Sequence, residues 1–439
     1  MAFVIRSLRS AVRQLVIRIV LSVADLTGVW RYPSHRDIYS TPNDRLARLN
    51  WTYKSINPVV RAEKGSGLEA YFSQHRHPDG PLLPGGFQPQ RVARLSAVGD
   101  LMRADGLEHS QGKLYASVAD QIFGADVSFA NLESTVIDVN DNDGGLYVCV
   151  TRDGYEAFKG HLGRQYTLFS TANNHILDGG VHGVNSVHGL LDAEGFKFVG
   201  TNPTRERRRQ GVVVDANGIK LGFVAATYGI NHKPLPEDKD YLVNYIPFNR
   251  DKEQTDLSLL KEQIDWCRAS GCDFVVASLH WGHEFEFFPR RHQVEIAHNL
   301  IELGADALIG HHTHTIQPYE IYQTRRDPHR KAPIFYGLGN LVSWGRAAYR
   351  CLSMVAQMNI VKGQIGGEVK TLVANLDVHP VLQVEYEEKG TAYLQLEALG
   401  DLVRSAGDQR VRAFTEEAVP YADLVLGEHW REQNYIHHS

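Results

Sequence analysis

The stretch Asp306–Gln317, D-A-L-I-G-H-H-T-H-T-I-Q, decides how the chain is read. Its short apolar run, Ala307-Leu308-Ile309, has the length and composition of a buried strand and stops at Gly310. Three histidines, His311, His312 and His314, follow at once. On an extended chain side chains alternate with period two, so His312 and His314 are expected to point to the same side. Two imidazoles on one face, just past a strand end, can both reach a metal ion. A lone histidine is more often a satisfied core or surface residue, but three within four positions after a strand point to a site.

Working outward, the same arrangement recurs. From Arg91 onward short apolar runs alternate with helical stretches, the pattern of an α/β architecture. The runs are RVARLSAV, DVSFA, YTLFSTA, FKFVG, IKLGFVAAT, DFVVASL, DALIG and PIFYGLGNL, with helices expected near 111–124, 153–163, 181–194, 253–270 and 290–303. RVARLSAV leads into Asp100, DVSFA into Asn131 and Glu133, YTLFSTA into Asn174, His175 and Asp178, and DFVVASL into His280, His283 and Glu284. In open α/β sheets ligands bind beyond the carboxyl ends of the strands. Asp100 alone could cap a helix and Asn174 alone could close a turn. Several strand ends carrying such groups together predict one shared site.

Carboxylate, amide oxygen and imidazole in combination suit a divalent ion of intermediate hardness. Asp100, Glu133, Asn174, His280, His312 and His314, with Asn131 beside them, suffice for one fully ligated ion or for two that share a bridge. No organic cofactor is called for. His175 and Asp178 form a different pair, in which a carboxylate three residues on orients an imidazole for general acid/base work. The alternative for Asp178 is a helix-start cap before Gly179-Gly180. A second acid/base pair could draw on His283, His311 or His312 with Asp100 or Glu284.

The 439 residues allow one large domain with appendages. With 43% apolar and 22% charged residues and a net charge of -5, nothing points to a nucleic-acid partner. Cys149, Cys267, Cys272 and Cys351 form no zinc-type pattern and read as buried thiols. The segment from Met1 to Trp30 is interrupted by Arg6, Arg9, Arg13, Arg18 and Asp25, and no run approaches the ~18–20 apolar residues of a spanning helix. Arg6, Arg9 and Arg13 share one face, as in an amphipathic helix that packs on the domain. A cytoplasmic protein without an integral membrane anchor is the expectation. Three regions follow: an amphipathic helix and irregular extension over 1–90, a main domain over 91–385, and a helical segment packed on it over 386–439. The basic runs at 205–209 (RERRR) and 325–331 (RRDPHRK) read as solvated faces. Trp281, Trp344, Phe285, Phe287 and Phe288 lie close to the site motifs in sequence, and the loop from Tyr228 to His232 is a candidate pocket wall.

Six motifs in unbroken order carry a resemblance. They are G-D-L-M at 99, A-N-L-E at 130, A-N-N-H-x-x-D at 172, H-W-G-x-E at 280 with Pro289 and Gln293, G-A-D-x-x-x-G-H-H-x-H at 304, and Y-G-L-G-N at 336. Over roughly 91–385 the chain resembles the bacterial capsule-synthesis (CapA, poly-γ-glutamate synthesis) family. The resemblance implies the calcineurin-like metallophosphoesterase fold, an α/β (α+β) four-layer sandwich of two β-sheets flanked by helices. It implies that Asn174, His280 and His312 hold one metal and that Asp100 and His314 hold the other. It further implies that His175, backed by Asp178, protonates a leaving group. Hydrolases of the wider superfamily usually have D-x-H at the first motif, whereas Asp100 here is followed by Leu101 and Met102, and Asn131 and Glu133 stand where an aspartate would bridge. The donor set therefore shifts toward oxygen, which favours Ca²⁺ or Mn²⁺ among Mn²⁺, Mg²⁺, Ca²⁺ and Zn²⁺.

Three functions fit that resemblance. The first is epimerisation of the Cα of a C-terminal residue in a ribosomal, lasso-type peptide precursor, with an acidic or C-terminal carboxylate as the group recognised. The second is metal-dependent phosphoester hydrolysis, and the third is a role in capsule or poly-γ-glutamate assembly. The eroded first motif and the lack of an anchor-like run tilt the expectation toward the first. Oligomeric state is left open.

Overall fold

The computed structural model describes residues 20, 22–34, 44–75, 81–136, 148–249, 255–405 and 407–432. The apolar runs become β1 (Gln88–Leu101), β2 (Val127–Leu132), β3 (Leu168–Ser170), β4 (Lys197–Val199), β5 (Val212–Ala216), β6 (Ile219–Thr227), β7 (Phe274–His280) and β8 (Ala307–His311). After them come β9 (Tyr319–Gln323), β10 (Lys331–Phe335), β11 (Asn340–Val342), β12 (Leu352–Ile365), β13 (Glu368–Glu388) and β14 (Thr391–Ala398). One sheet runs β14-β13-β12-β1-β2-β3-β4, with β11 also paired to β1, and the other runs β9-β10-β8-β7-β6-β5. Strands β1 to β4 are parallel, as are β6, β7, β8 and β10. Every residue of β7 is buried, which is why its sequence reads as a nearly continuous apolar run rather than an alternating one.

The two sheets face each other across one core, with Phe129 of β2 stacked on Phe223 of β6 at 5.8 Å between ring centroids. Helices Gly180–Ala193, Ser258–Ala269 and Arg291–Glu302 pack on the strands. This is the mixed α/β, two-sheet arrangement that the sequence predicts.

The flanking regions differ from expectation. Residues 31–90 are not irregular throughout: they contain helices Arg45–Lys54 and Leu68–His75. The first is capped by Asp44, whose carboxylate accepts from the Leu46 and Ala47 amides, and its last residue, Lys54, reaches the buried Glu286 at 2.7 Å. The proposed boundary at 385 falls inside β13, and β14 lies beyond it, because Tyr386 pairs across to Tyr393 in the ladder that ends the sheet. Helices Leu399–Ser405 and Gln409–Leu426 follow. Arg6, Arg9 and Arg13 lie outside the described residues. Among the described residues no helix is long and apolar enough to cross a membrane.

The second basic run has a structural role. Arg326 and Arg330, with Arg268 from the helix Ser258–Ala269, converge on the fully buried Asp306. Removing one partner of a buried ionic cluster strands the others, so Asp306→Ala is expected to cost about 3–5 kcal/mol of stability, read as a lower urea midpoint. Burial pushes the Asp306 carboxyl up, but Arg330, Arg268 and Arg326 outweigh it and hold the group below its ordinary range. Its contribution is thus full above the unfolded value of about 4 and is lost as pH falls through the lower folded value. The gap between wild type and mutant should therefore narrow in strong acid.

Candidate metal centre

The site is assembled by register. On the first sheet Asp100 pairs with Asn131 of β2 on one side and Asn340 of β11 on the other. On the second, His280 pairs with Thr227 of β6 and with His311 of β8. The carboxyl ends of both parallel arrays therefore deliver polar side chains to one edge. Two glycines permit the close approach: a Cβ at Gly99 would stand 2.0 Å from the Gly339 carbonyl, and one at Gly310 would stand 2.0 Å from the Tyr336 carbonyl. Each immediately precedes a site residue.

His312 and His314 do converge, but not by strand alternation. β8 ends at His311, and both histidines have left-handed backbones, with φ of +89° and +53°. Phe285, at φ +63°, is a third such residue at the site. Non-glycine residues in this region cost about 1–3 kcal/mol each and persist where surrounding contacts over-determine them. Here the turn, not the pleat, aims the imidazoles.

His280, His312 and His314 stand in a row, with ring centroids 4.9 and 5.9 Å apart. Their ring nitrogens form three overlapping groups with buried carboxylates: Glu133 with His280 and His312, Glu284 with His312 and His314, and Asp100 and Glu133 with His314. Within each group the ligand atoms lie within 4.8 Å of one another. At one end of the row, His280 Nε2 is 2.8 Å from Asn174 Oδ1 and 3.5 Å from Glu133 Oε1. The Asn174 amide is turned that way because its Nδ2 donates to Asn231 Oδ1 at 3.1 Å. At the other end His314 Nδ1 is 2.8 Å from Asn340 Oδ1.

The donor set fits a divalent cation. Both Glu133 carboxylate oxygens and Asn131 Oδ1 are buried without a hydrogen-bond partner, and buried acceptors left so carry a desolvation cost that a bound cation would offset. Burial, with Asp100 close by, pushes the Glu133 carboxyl well above its usual range. Burial and the neighbouring imidazoles push His280 well down, leaving it neutral and ready to ligate. His314 is likewise lowered by burial, partly offset by Glu284 and Asp100. Asp100 moves the other way: burial raises it, but His311, His314 and the Asn131 amide outweigh burial.

The remaining expected residues separate. His175 Nδ1 lies 2.8 Å from Asp178 Oδ2, and Asp178 also accepts from the Val148 amide at 2.7 Å and from Lys233 Nζ at 2.9 Å. Asp178 is therefore not a helix cap, since the following helix is entered through Gly179 with no side-chain cap. Burial raises its carboxyl, but His175, Val148 and Lys233 outweigh that and keep it charged. Asn131 donates to Asp100 Oδ1 at 2.8 Å, so it orients an acid. His283 is a member of none of the three groups, and its ring lies 6.4 Å from that of His292. Glu284 accepts from the Trp51 indole at 2.6 Å, a contact from the N-terminal region. An imidazole does stand beside Asp100, as D-x-H would provide, but it is His311 of β8, with Nδ1 3.1 Å from Asp100 Oδ1. Among the aromatics, Trp281, Phe285, Phe287 and Phe288 all belong to the core, and Phe285 also lies 5.9 Å from the His314 ring.

Sequence reasoning gives no role to Asn340, Lys233 or Trp51, and places Asn231 only in a candidate pocket wall. Asn340 had a usable signal, an amide at the end of Y-G-L-G-N, while the others act across large separations that no local pattern reveals.

A helix-flanked pair of sheets with acids and imidazoles gathered at converging strand ends defines a protein of the metallophosphoesterase-like class, with buried groups able to hold a divalent metal. Residues 94–344 match the family described as Bacterial capsule synthesis protein PGA_cap, and the chain belongs to that family. It is 26% identical over 186 residues to the capsule biosynthesis protein CapA of Bacillus anthracis, covering 40% of each chain. It is 26% identical over 218 residues to the PGA biosynthesis protein CapA of Bacillus subtilis, covering 49% of this chain and 51% of that one. A probable polyglutamine synthesis accessory protein of Mycobacterium tuberculosis is 29% identical over 176 residues, covering 39% and 43%. The match thus spans about half or less of the length of these relatives.

Proposed function

We propose that the chain is a metal-dependent acid/base enzyme that epimerises a Cα in a carboxylate-bearing peptide, a ribosomal lasso-type precursor being the substrate that its motifs suggest. The observation that carries this reading is the placement of two acid/base groups at opposite ends of the histidine row. His175 belongs to the Asn174–His280 end, through Asn231, whose amide bridges towards both. Glu284 belongs to the His312–His314 end. Asn174, Glu133, His280 and His312 would hold the ion, which would polarise the substrate carbonyl and so acidify the adjacent C–H. With Nδ1 committed to Asp178, His175 takes or gives a proton at Nε2. Glu284, held by the Trp51 indole, serves the opposite face. The cavity of about 360 Å³ along Tyr228, Asn231, Lys233, Tyr245 and Asn249 has the size and polarity to receive a polar side chain next to His175. Relatives named for PGA biosynthesis and for polyglutamine synthesis support a peptide polymer as the substrate class.

Phosphoester hydrolysis is the second reading, favoured by the overlap of the three ligand groups, which suits two ions sharing a bridge. One experiment separates the two. The full chain loaded with Mn²⁺ or Ca²⁺ is incubated in D₂O with γ-glutamyl and C-terminal-carboxylate peptides and, separately, with an aryl phosphate. Epimerisation places deuterium at Cα with no loss of mass to hydrolysis. Phosphate release without Cα deuterium would replace the first reading by the second.

A further inference from the structure

We infer that Arg350 is the oxyanion anchor of this centre, binding a carboxylate or phosphoryl group of the substrate next to His314; the inference deepens the function proposed above and rests on the same site. Arg350 sits in a short helical turn, Ala348–Cys351, directly before β12. Its backbone carbonyl accepts from Asn340 Nδ2 at 3.0 Å, and Asn340 Oδ1 in turn holds His314 Nδ1. The residue is thus tied to the end of the histidine row through one intervening side chain.

The guanidinium lies 5.2 Å from the Phe285 ring centroid and 6.0 Å from that of the exposed Trp344. Its Nε is buried with no hydrogen-bond partner, and among the described residues no carboxylate forms an ion pair with it. The other arginines drawn into this fold behave differently: Arg290 meets Glu286, and Arg268, Arg326 and Arg330 meet Asp306. Gly345 makes room for the Arg350 stem, since a Cβ there would come within 2.8 Å of Arg350 Cβ and 3.0 Å of Nε. A planar fork held against aromatic faces, with a buried Nε that finds no acceptor, is preorganised for an incoming oxyanion. A cavity of about 250 Å³ opens beside it, lined by Ser343, Trp344, Gly345, Arg346, Gln383 and Arg410 among others, with the acids Asp105 and Glu385 also on its wall. The chain of a polyanionic substrate can continue there past the anchored group.

The test measures binding, not turnover. The metal-loaded full chain, R350Q and R350K are titrated calorimetrically with a short γ-linked glutamate oligomer and, separately, with inorganic phosphate, and the metal per chain and melting temperature are measured for each. The expected result is a loss of affinity for the oligomer of roughly ten- to a hundredfold in R350Q. A smaller loss is expected in R350K, which keeps the charge but not the fork, with metal content and melting temperature unchanged in both. A parallel loss for phosphate assigns the anchor to oxyanions in general, and an unaffected phosphate arm assigns it to carboxylates. Equal affinities in wild type and R350Q, no binding of either probe by wild type, or loss of metal in R350Q would each overturn the inference. A chain that binds the oligomer through Arg350 yet never exchanges a Cα proton overturns the epimerase reading and leaves the anchor standing.

Discussion

His175→Ala in the metal-loaded chain lowers kcat by roughly a hundred- to ten-thousandfold, the usual contribution of a positioned general acid or base, and leaves the metal content as it was. The split between the two readouts follows from the geometry. His175 is held by Asp178 and touches the metal-capable row only through the amides of Asn174 and Asn231. Asp178 is charged and accepts from three donors, so Asp178→Asn removes the group that fixes the imidazole's tautomer while keeping the volume. It should reproduce most of the loss. Full activity in His175→Ala, or an equal loss of metal and activity, would remove the dyad from the mechanism. Measuring kcat and bound metal on the same preparations decides the matter.

His312→Ala has the complementary signature. His312 contributes to two of the three ligand groups, so its removal breaks both at once. Bound metal per chain is expected to fall and activity to drop by at least about a hundredfold, more than the ten- to hundredfold usual for residues that merely support a ligand. His283→Ala, which touches none of the groups, should leave the metal in place. The affinity for the ion also depends on pH in a definite sense. Burial holds Glu133 protonated in the ion-free chain well above the ordinary carboxylate range, so binding must expel that proton, whereas His280 is already neutral. Affinity therefore rises with pH through the range in which Glu133 would otherwise keep its proton, and proton release accompanies binding. Titration calorimetry in buffers of different ionisation enthalpy reads that proton directly. Unchanged metal content in His312→Ala would show that the row is not where the ion sits.

Much of the centre was legible in the chain because strand ends are local features. An apolar run closed by glycine and followed by histidines, or an apolar run followed by Asn-Leu-Glu, announces both the strand and the group it carries. Asp100, Glu133, Asn174, His280, His312 and His314 were all found that way, and the structure brings them together. The reason given for His312 and His314 was wrong in detail: alternation along a strand was expected, and a left-handed turn does the aiming. Sequence periodicity sees φ only through residue type, and histidine at positive φ leaves no such mark. His283 marks the limit of sequence proximity. One residue from Glu284 and three from His280 in the chain, it enters none of the three ligand groups, and its ring lies 6.4 Å from that of His292.

The amino-acid sequence by itself determined which chemical groups stand at the ends of the strands and that the strands belong to a layered α/β fold, because both follow from composition and period over a few residues. Only the tertiary structure decided that Trp51 holds Glu284, that His311 stands against Asp100 where the first motif has no imidazole, and that the Arg350 guanidinium lies over the Phe285 ring. Those pairings join residues tens to hundreds of positions apart. They are set by the register of β1 with β11 and of β7 with β8, and by how the N-terminal helix docks, none of which any local stretch of the chain encodes.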